Sequence, residues 1–214
     1  MVWLRQSKSS MDPITAVDGS VLAPESVRML EYLKMRAKEM GAAAICQRIR
    51  SAAADLENAA GEVRPSDARV RPIAGKWNLA EVIDHIAQTQ VRGAEELRHL
   101  LEGRRPPLPP VYEALRSGAA QWAPWDLLVA DLREANRSMI ELLERASEEA
   151  AEGPRVKTLL VALCKLEDGS SRPQLFFADL TWKEYALLQR LHLLDHRRQL
   201  KSIQAAVAER QTSA

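Results

Sequence analysis

Two of the four histidines in this 214-residue chain, His192 and His196, lie four residues apart. On a helix that spacing puts both imidazoles on one face, one turn apart. One helix can then offer two nitrogen ligands to a single divalent metal ion. The surrounding residues follow the same stripe. Tyr185, Gln189, His192, His196 and Gln199 recur at intervals of 4, 3, 4 and 3, the rhythm of an inward-facing seam, and every member is polar. Leu187, Leu191 and Leu194 run beside it as ordinary core. A buried polar seam is costly unless its groups are paired or line a cavity, and a metal ion beside a solvent pocket would serve all of them. A third histidine, His85, falls in the segment DHIAQTQ, aligned with Val82 and Thr89 at the edge of another helical pattern. If those two helices pack together, the result is a three-nitrogen site with an open coordination position. Spacing alone leaves a second reading open, because a buried histidine often donates to a backbone carbonyl and binds nothing.

Three neutral imidazoles leave a metal ion its full double charge. Such an ion acidifies bound water to hydroxide, or a small thiol to thiolate, near neutral pH. No glutamate completes an HExxH motif, so a zinc-protease mechanism has no support. Gln189 and Gln199 share the histidine stripe and are candidates to orient ligands or substrate, and Tyr185 is a candidate for the same pocket. Glu81, four residues before His85, is within helical reach of its imidazole, although a capping role accounts for it more simply. Asp84 and Asp195 adjoin ligands in sequence, which turns them about 100° away, toward solvent or neighbouring helices. No residue stands out as a general base, so the catalytic residues are unassigned. Arg190, Arg197, Arg198 and Lys201 form a basic cluster that suits a carboxylate-bearing thiol, or is simply a solvated face. His99 is expected to be exposed, without a role. Trp122 and Trp125 either wall the pocket mouth or cover the apolar end of the core.

Helices must carry these residues. A stretch from Pro24 to Ala60 reads as one bent helix or as two, with Gly41 at the break. Residues 61–77 read as a loop. The second helix opens on a capping box, Asn78 with Glu81, and a staple of Trp77 with Val82, and stops near Gly103. Four prolines between Arg104 and Pro110 make a loop. A third helix opens at Pro124 and is ended by Gly153-Pro154. Val156 to Leu166 and Gln174 to Ala178 read as a β-hairpin around Asp168-Gly169-Ser170. The last helix opens on a second capping box, Thr181 with Glu184, has Leu180 and Tyr185 as its staple, and runs to about Ala208. The outline is mainly α: four long helices and one small hairpin before the last, over 23–209, with tails at 1–22 and 210–214. The start of translation is open between Met1 and Met11.

Composition bounds the function. Hydrophobic residues make up 46%, enough for a sizeable core, and aromatics only 5%, so that core is aliphatic. The 30 basic and 29 acidic residues balance to +1, which gives no reason to expect nucleic acid or an anionic membrane as partner. No apolar run is long enough to span a bilayer. Cys46 and Cys164 have no CxxC spacing and are expected buried and reduced, in a cytoplasmic protein. Broad apolar helix faces suit a homodimer.

The segments KWNLAEVIDHIAQTQ (76–90) and WKEYALLQRLHLLDHRRQL (182–200) resemble the DinB/YfiT-like metalloenzyme family. Trp77, His85, His192, His196 and Gln199 match its pattern, whereas Arg197-Arg198 stands where Arg-Gly is usual. The resemblance implies a four-helix bundle of DinB/YfiT type with long crossovers, in which His85, His192 and His196 hold a divalent zinc, nickel or manganese ion. It implies an enzyme acting on small-molecule substrates, either an S-transferase with a low-molecular-weight thiol cosubstrate or a hydrolase. The alternative is a non-catalytic metal- or ligand-binding bundle in stress response. The hairpin is not general in that family and marks a subgroup.

Overall fold

A break at Gly41 divides the first helical stretch into two helices, α1 (Pro24–Glu39) and α2 (Ala42–Gly61). The backbone turns extended at Met40 and Gly41, with ψ 133° and 163°. A side chain at Gly41 would meet the carboxylate of Glu148 at 2.9 Å. That carboxylate accepts from the Ala42 N–H at 2.5 Å, satisfying a donor at the start of α2. The computed structural model describes residues 15–148, 153–166 and 168–212.

Helix α3 (Leu79–Leu101) starts where its capping box demands. The Glu81 N–H donates to Asn78 Oδ1 at 2.9 Å, and the Asn78 N–H donates to Glu81 Oε2 at 2.9 Å. Helix α4 (Trp125–Glu144) stops well short of Gly153-Pro154. Beyond Arg145 the chain turns back so that Glu148 can cap α2 and bind Lys183 Nζ at 2.6 Å. Strands β1 (Val156–Lys165) and β2 (Ser171–Leu180) pair antiparallel, in register from Val156 with Leu180 to Lys165 with Ser171. Gly169 turns the hairpin with φ 81°, a conformation glycine adopts without strain. One hairpin face, including Leu160, Ala162, Phe176 and Ala178, is buried.

The final helix, α5 (Trp182–Thr212), outruns its expected end because its last turn is tied down. Gln211 bonds Arg64 and Asp67, and Arg210 donates to the Arg71 carbonyl. Residues 210–212, expected in a tail, are therefore helical, and 213–214 lie outside the described residues. Of the N-terminal tail, residues 1–14, with both candidate start methionines, also lie outside them. Residues 15–22 are anchored: Ala16 bridges Phe176, and the Val17 N–H donates to the Leu175 carbonyl at 2.7 Å.

The fold is mainly helical, with five α-helices among the described residues and a hairpin before the last. Helix α2 packs on α4 and α5, and α3 packs on the same two, which closes a ring around the core. The interior is aliphatic, with Ile45, Ile49, Leu56, Ile83, Ile86 and Leu97 fully enclosed. Among the described residues, no helix is long and apolar enough to cross a membrane.

Candidate metal centre

Helices α3 and α5 bring three imidazoles into one cluster. His85 Nε2 lies 3.1 Å from His192 Nε2, and His196 Nε2 lies 3.0 Å from the same atom. One ring nitrogen from each of the three histidines falls within 4.8 Å of the other two. The outer nitrogens fix two tautomers. His85 Nδ1 is 2.9 Å from the Leu115 carbonyl, and His196 Nδ1 is 2.7 Å from Gln199 Oε1. Both oxygens only accept, so both Nδ1 atoms carry the proton and both Nε2 atoms present lone pairs. His192 faces two lone pairs with at most one proton to offer. Whichever tautomer it takes, at least one of those two lone pairs is left without a proton of its own. A single cation on all three nitrogens removes that conflict, so the donor set fits a divalent metal.

Protonation is a poor substitute for a cation here. Burial holds the His192 imidazole well below its ordinary pKa, and His196 and His85 oppose its charge. Burial, with His85 adding to it, lowers His196 to about 4. His85 is lowered mainly by burial and also by the nearby Arg116 charge. Trp77 covers the cluster, stacked on His196 at 6.3 Å and tilted on His85 at 5.0 Å between centroids. The Arg116 guanidinium lies over the Trp77 ring, 5.5 Å from its centroid.

The sequence profile of the DinB superfamily matches residues 48–200. The chain belongs to the DinB superfamily. Its fold is shared with the crystal structure of a mycothiol-dependent maleylpyruvate isomerase, at 13% identity and a TM-score of 0.55. A variant of that isomerase with one histidine replaced by alanine gives 12% identity and a TM-score of 0.56. Each match covers 77% of this chain and 62% of the isomerase, so the chain spans less than two thirds of that enzyme's length. Likeness at this identity speaks for the fold. No curated protein matches the sequence.

The other candidates of this DinB-superfamily chain divide by position. Gln199 touches a triad imidazole. Glu81 does not: one oxygen closes the capping box and the other binds Arg71 at 2.5 Å. Tyr185 lies deeper between α3 and α5, its hydroxyl donating to Glu96 Oε2 at 2.6 Å. Gln189 is buried beside Gly93. The expectation for His99 is overturned. It is 8% exposed and lies 3.1 Å from Glu95, because α4 and α5 both pack on α3 and enclose even polar positions of its last turn. Trp125 is buried, whereas Trp122 is 73% exposed and takes no part in the core. Arg197 and Arg198 pair with Asp55 and Asp195, as a solvated face would. Cys46 and Cys164 are buried and free.

Asp84 matters more than its sequence position suggests. It is 2% exposed and receives the Ser117 hydroxyl at 2.5 Å and the Ser117 and Gly118 N–H groups at 3.3 and 3.2 Å. Gly118 makes this turn with φ 84°. The turn carries the Leu115 carbonyl onto His85. Ser117-Gly118 is a visible turn signal, but no local pattern pairs it with an aspartate more than thirty residues earlier.

Proposed function

We propose that His85, His192 and His196 hold one divalent zinc, nickel or manganese ion, and that this centre serves an enzyme acting on small molecules, of the thiol-dependent S-transferase type. The convergence of three Nε2 atoms, two of them with lone pairs fixed inward, carries the reading. When bound, the ion supplies Lewis acidity that deprotonates a low-molecular-weight thiol or water. The chain's own residues prepare the place. The Leu115 carbonyl and Gln199 orient two imidazoles, and Trp77 shields the cluster from bulk water. Arg116 sets a positive charge beside it, which suits an anionic small molecule. The mycothiol dependence of the isomerase with this fold favours a thiol cosubstrate.

Hydrolysis is the weaker variant. The two carboxylates nearest His85 in sequence are committed elsewhere, Glu81 to the helix cap and Arg71, Asp84 to the 117–118 turn. The same commitment favours the second reading, a non-catalytic metal-binding protein. Cobalt substitution separates these readings. On the transferase reading, a small thiol such as mycothiol, bacillithiol or glutathione changes the visible absorption of the cobalt protein. A spectrum indifferent to all three contradicts it.

A further inference from the structure

A metal-binding histidine nearly always donates its other ring nitrogen to an acceptor, and this partner sets the tautomer. His85 has the Leu115 carbonyl and His196 has Gln199. His192 Nδ1 is buried with no hydrogen-bond partner among the described residues. Three buried oxygens share that condition, Gln189 Oε1, Thr89 Oγ1 and Gln90 Oε1, and the amide of the last is turned toward Asn136 on α4.

The register of α3 against α5 brings His192, Gln189 and Thr89 within one turn of one another along that contact. The helices run antiparallel there: His85 meets His192 and His196, Gly93 meets Gln189, and Glu96 meets Tyr185. Each turn forward along α3 is answered by a turn backward along α5, which sets Thr89 level with His192. Gln189 precedes His192 by one turn on the same stripe. The Gln189 amide is itself held in place. A Cβ at position 93 would lie 2.9 Å from its Nε2 and 3.1 Å from its Cδ, so its seat exists because residue 93 is glycine. On its far side stands the Tyr185 hydroxyl, committed to Glu96, whose other oxygen takes the Arg92 guanidinium at 2.6 Å.

We propose that one buried water joins His192 Nδ1–H, Gln189 Oε1 and the Thr89 hydroxyl, and so fixes the His192 tautomer that aims its Nε2 lone pair at the other two histidines. The water accepts from His192 and donates one proton to each oxygen, which gives it the three partners typical of a buried water. Gln189 and Thr89 are thus positioning residues that act through His192. The Tyr185–Glu96–Arg92 group is the support that keeps the glutamine in register. This inference deepens the metal reading above and rests on it for its affinity arm.

The experiment uses the full chain with Thr89→Val, Thr89→Ser and Gln189→Leu. Cobalt affinity is read by titration, the His192 tautomer by nitrogen NMR of metal-free protein, and folding by thermal melts. Thr89→Val and Gln189→Leu are expected to weaken cobalt binding about 10- to 100-fold. Both also lose the preference for the Nδ1–H tautomer at His192, whereas Thr89→Ser keeps wild-type values for both. Equal affinity and an unchanged tautomer in folded Thr89→Val and Gln189→Leu would overturn the proposal. If the wild type binds no metal, the metal reading fails by itself. The tautomer still decides this proposal, since a metal-free wild type lacking the Nδ1–H preference refutes it. Should either variant fail to fold, Gly93→Ala, whose Cβ crowds the Gln189 amide, is expected to show the same loss.

Discussion

His85 and His192 bring their Nε2 atoms to 3.1 Å across the contact between α3 and α5, although burial disfavours the charged, doubly protonated form of either ring. Neutral imidazoles at that distance share one hydrogen at best. His196 adds a third nitrogen at 3.0 Å, and the shortage of protons becomes a demand for a cation.

The metal-free protein should lose stability on mild acidification. An unfolded histidine titrates near 6.5, whereas burial holds His196 at about 4 and depresses His192 and His85. As pH falls below about 6.5, the unfolded chain takes up protons that the folded chain refuses, so unfolding gains ground. The His196 part of the loss is absent above that range and complete near pH 4, where it amounts to on the order of 3 kcal/mol. Thermal melts of metal-free protein between pH 7.5 and 5 should show a falling Tm that His196→Gln makes shallower. A flat Tm in the wild type would refute the burial argument.

Asp84 should couple the loop after α3 to the triad. Asp84→Ala leaves the Ser117 hydroxyl and two loop N–H groups without their acceptor and frees the Leu115 carbonyl from His85. The expected cost is about 1–3 kcal/mol in denaturant unfolding, with cobalt affinity lower by about 10- to 100-fold. A variant that is less stable but binds cobalt with full affinity would show that the loop does not orient His85.

Asn78→Ala makes the opposite pattern. The Glu81 N–H loses its side-chain acceptor while the N–H of residue 78 keeps the Glu81 carboxylate, and stability should fall by about 1 kcal/mol. His85 lies two turns into α3 and keeps the Leu115 carbonyl, so metal stoichiometry should be unchanged in metal analysis of the variant. Loss of metal would mean that the start of α3, rather than the loop, sets the ligand.

Much of this was legible in the sequence because its signals are local. The Asn78 and Thr181 boxes mark two helix starts through contacts three residues apart, and His192 with His196 declares a shared face within one turn. The hairpin was legible from β-branched residues around Asp168-Gly169-Ser170. What escaped depends on contacts distant along the chain. Glu148 folds back onto α2, which ends α4 early. Gln211 reaches Arg64 and extends α5. Asp84 grips a turn beyond a proline-rich loop. His99 sits inside because two helices close over it, a fact that no periodicity within α3 records. Tyr185 and Gln189 belong to the polar seam as expected, but they sit one to two turns from the imidazoles, with their own buried partners in Glu96 and Gly93.

The central claim is that three histidines hold one divalent ion. Its most direct test is elemental analysis of purified, anaerobically reconstituted protein beside His192→Ala, with folding of both checked by melting. One equivalent of zinc, nickel or manganese per wild-type chain is expected, with a loss of most of it in the variant. A folded wild type without stoichiometric metal, or a His192→Ala protein that retains the full equivalent, would contradict it.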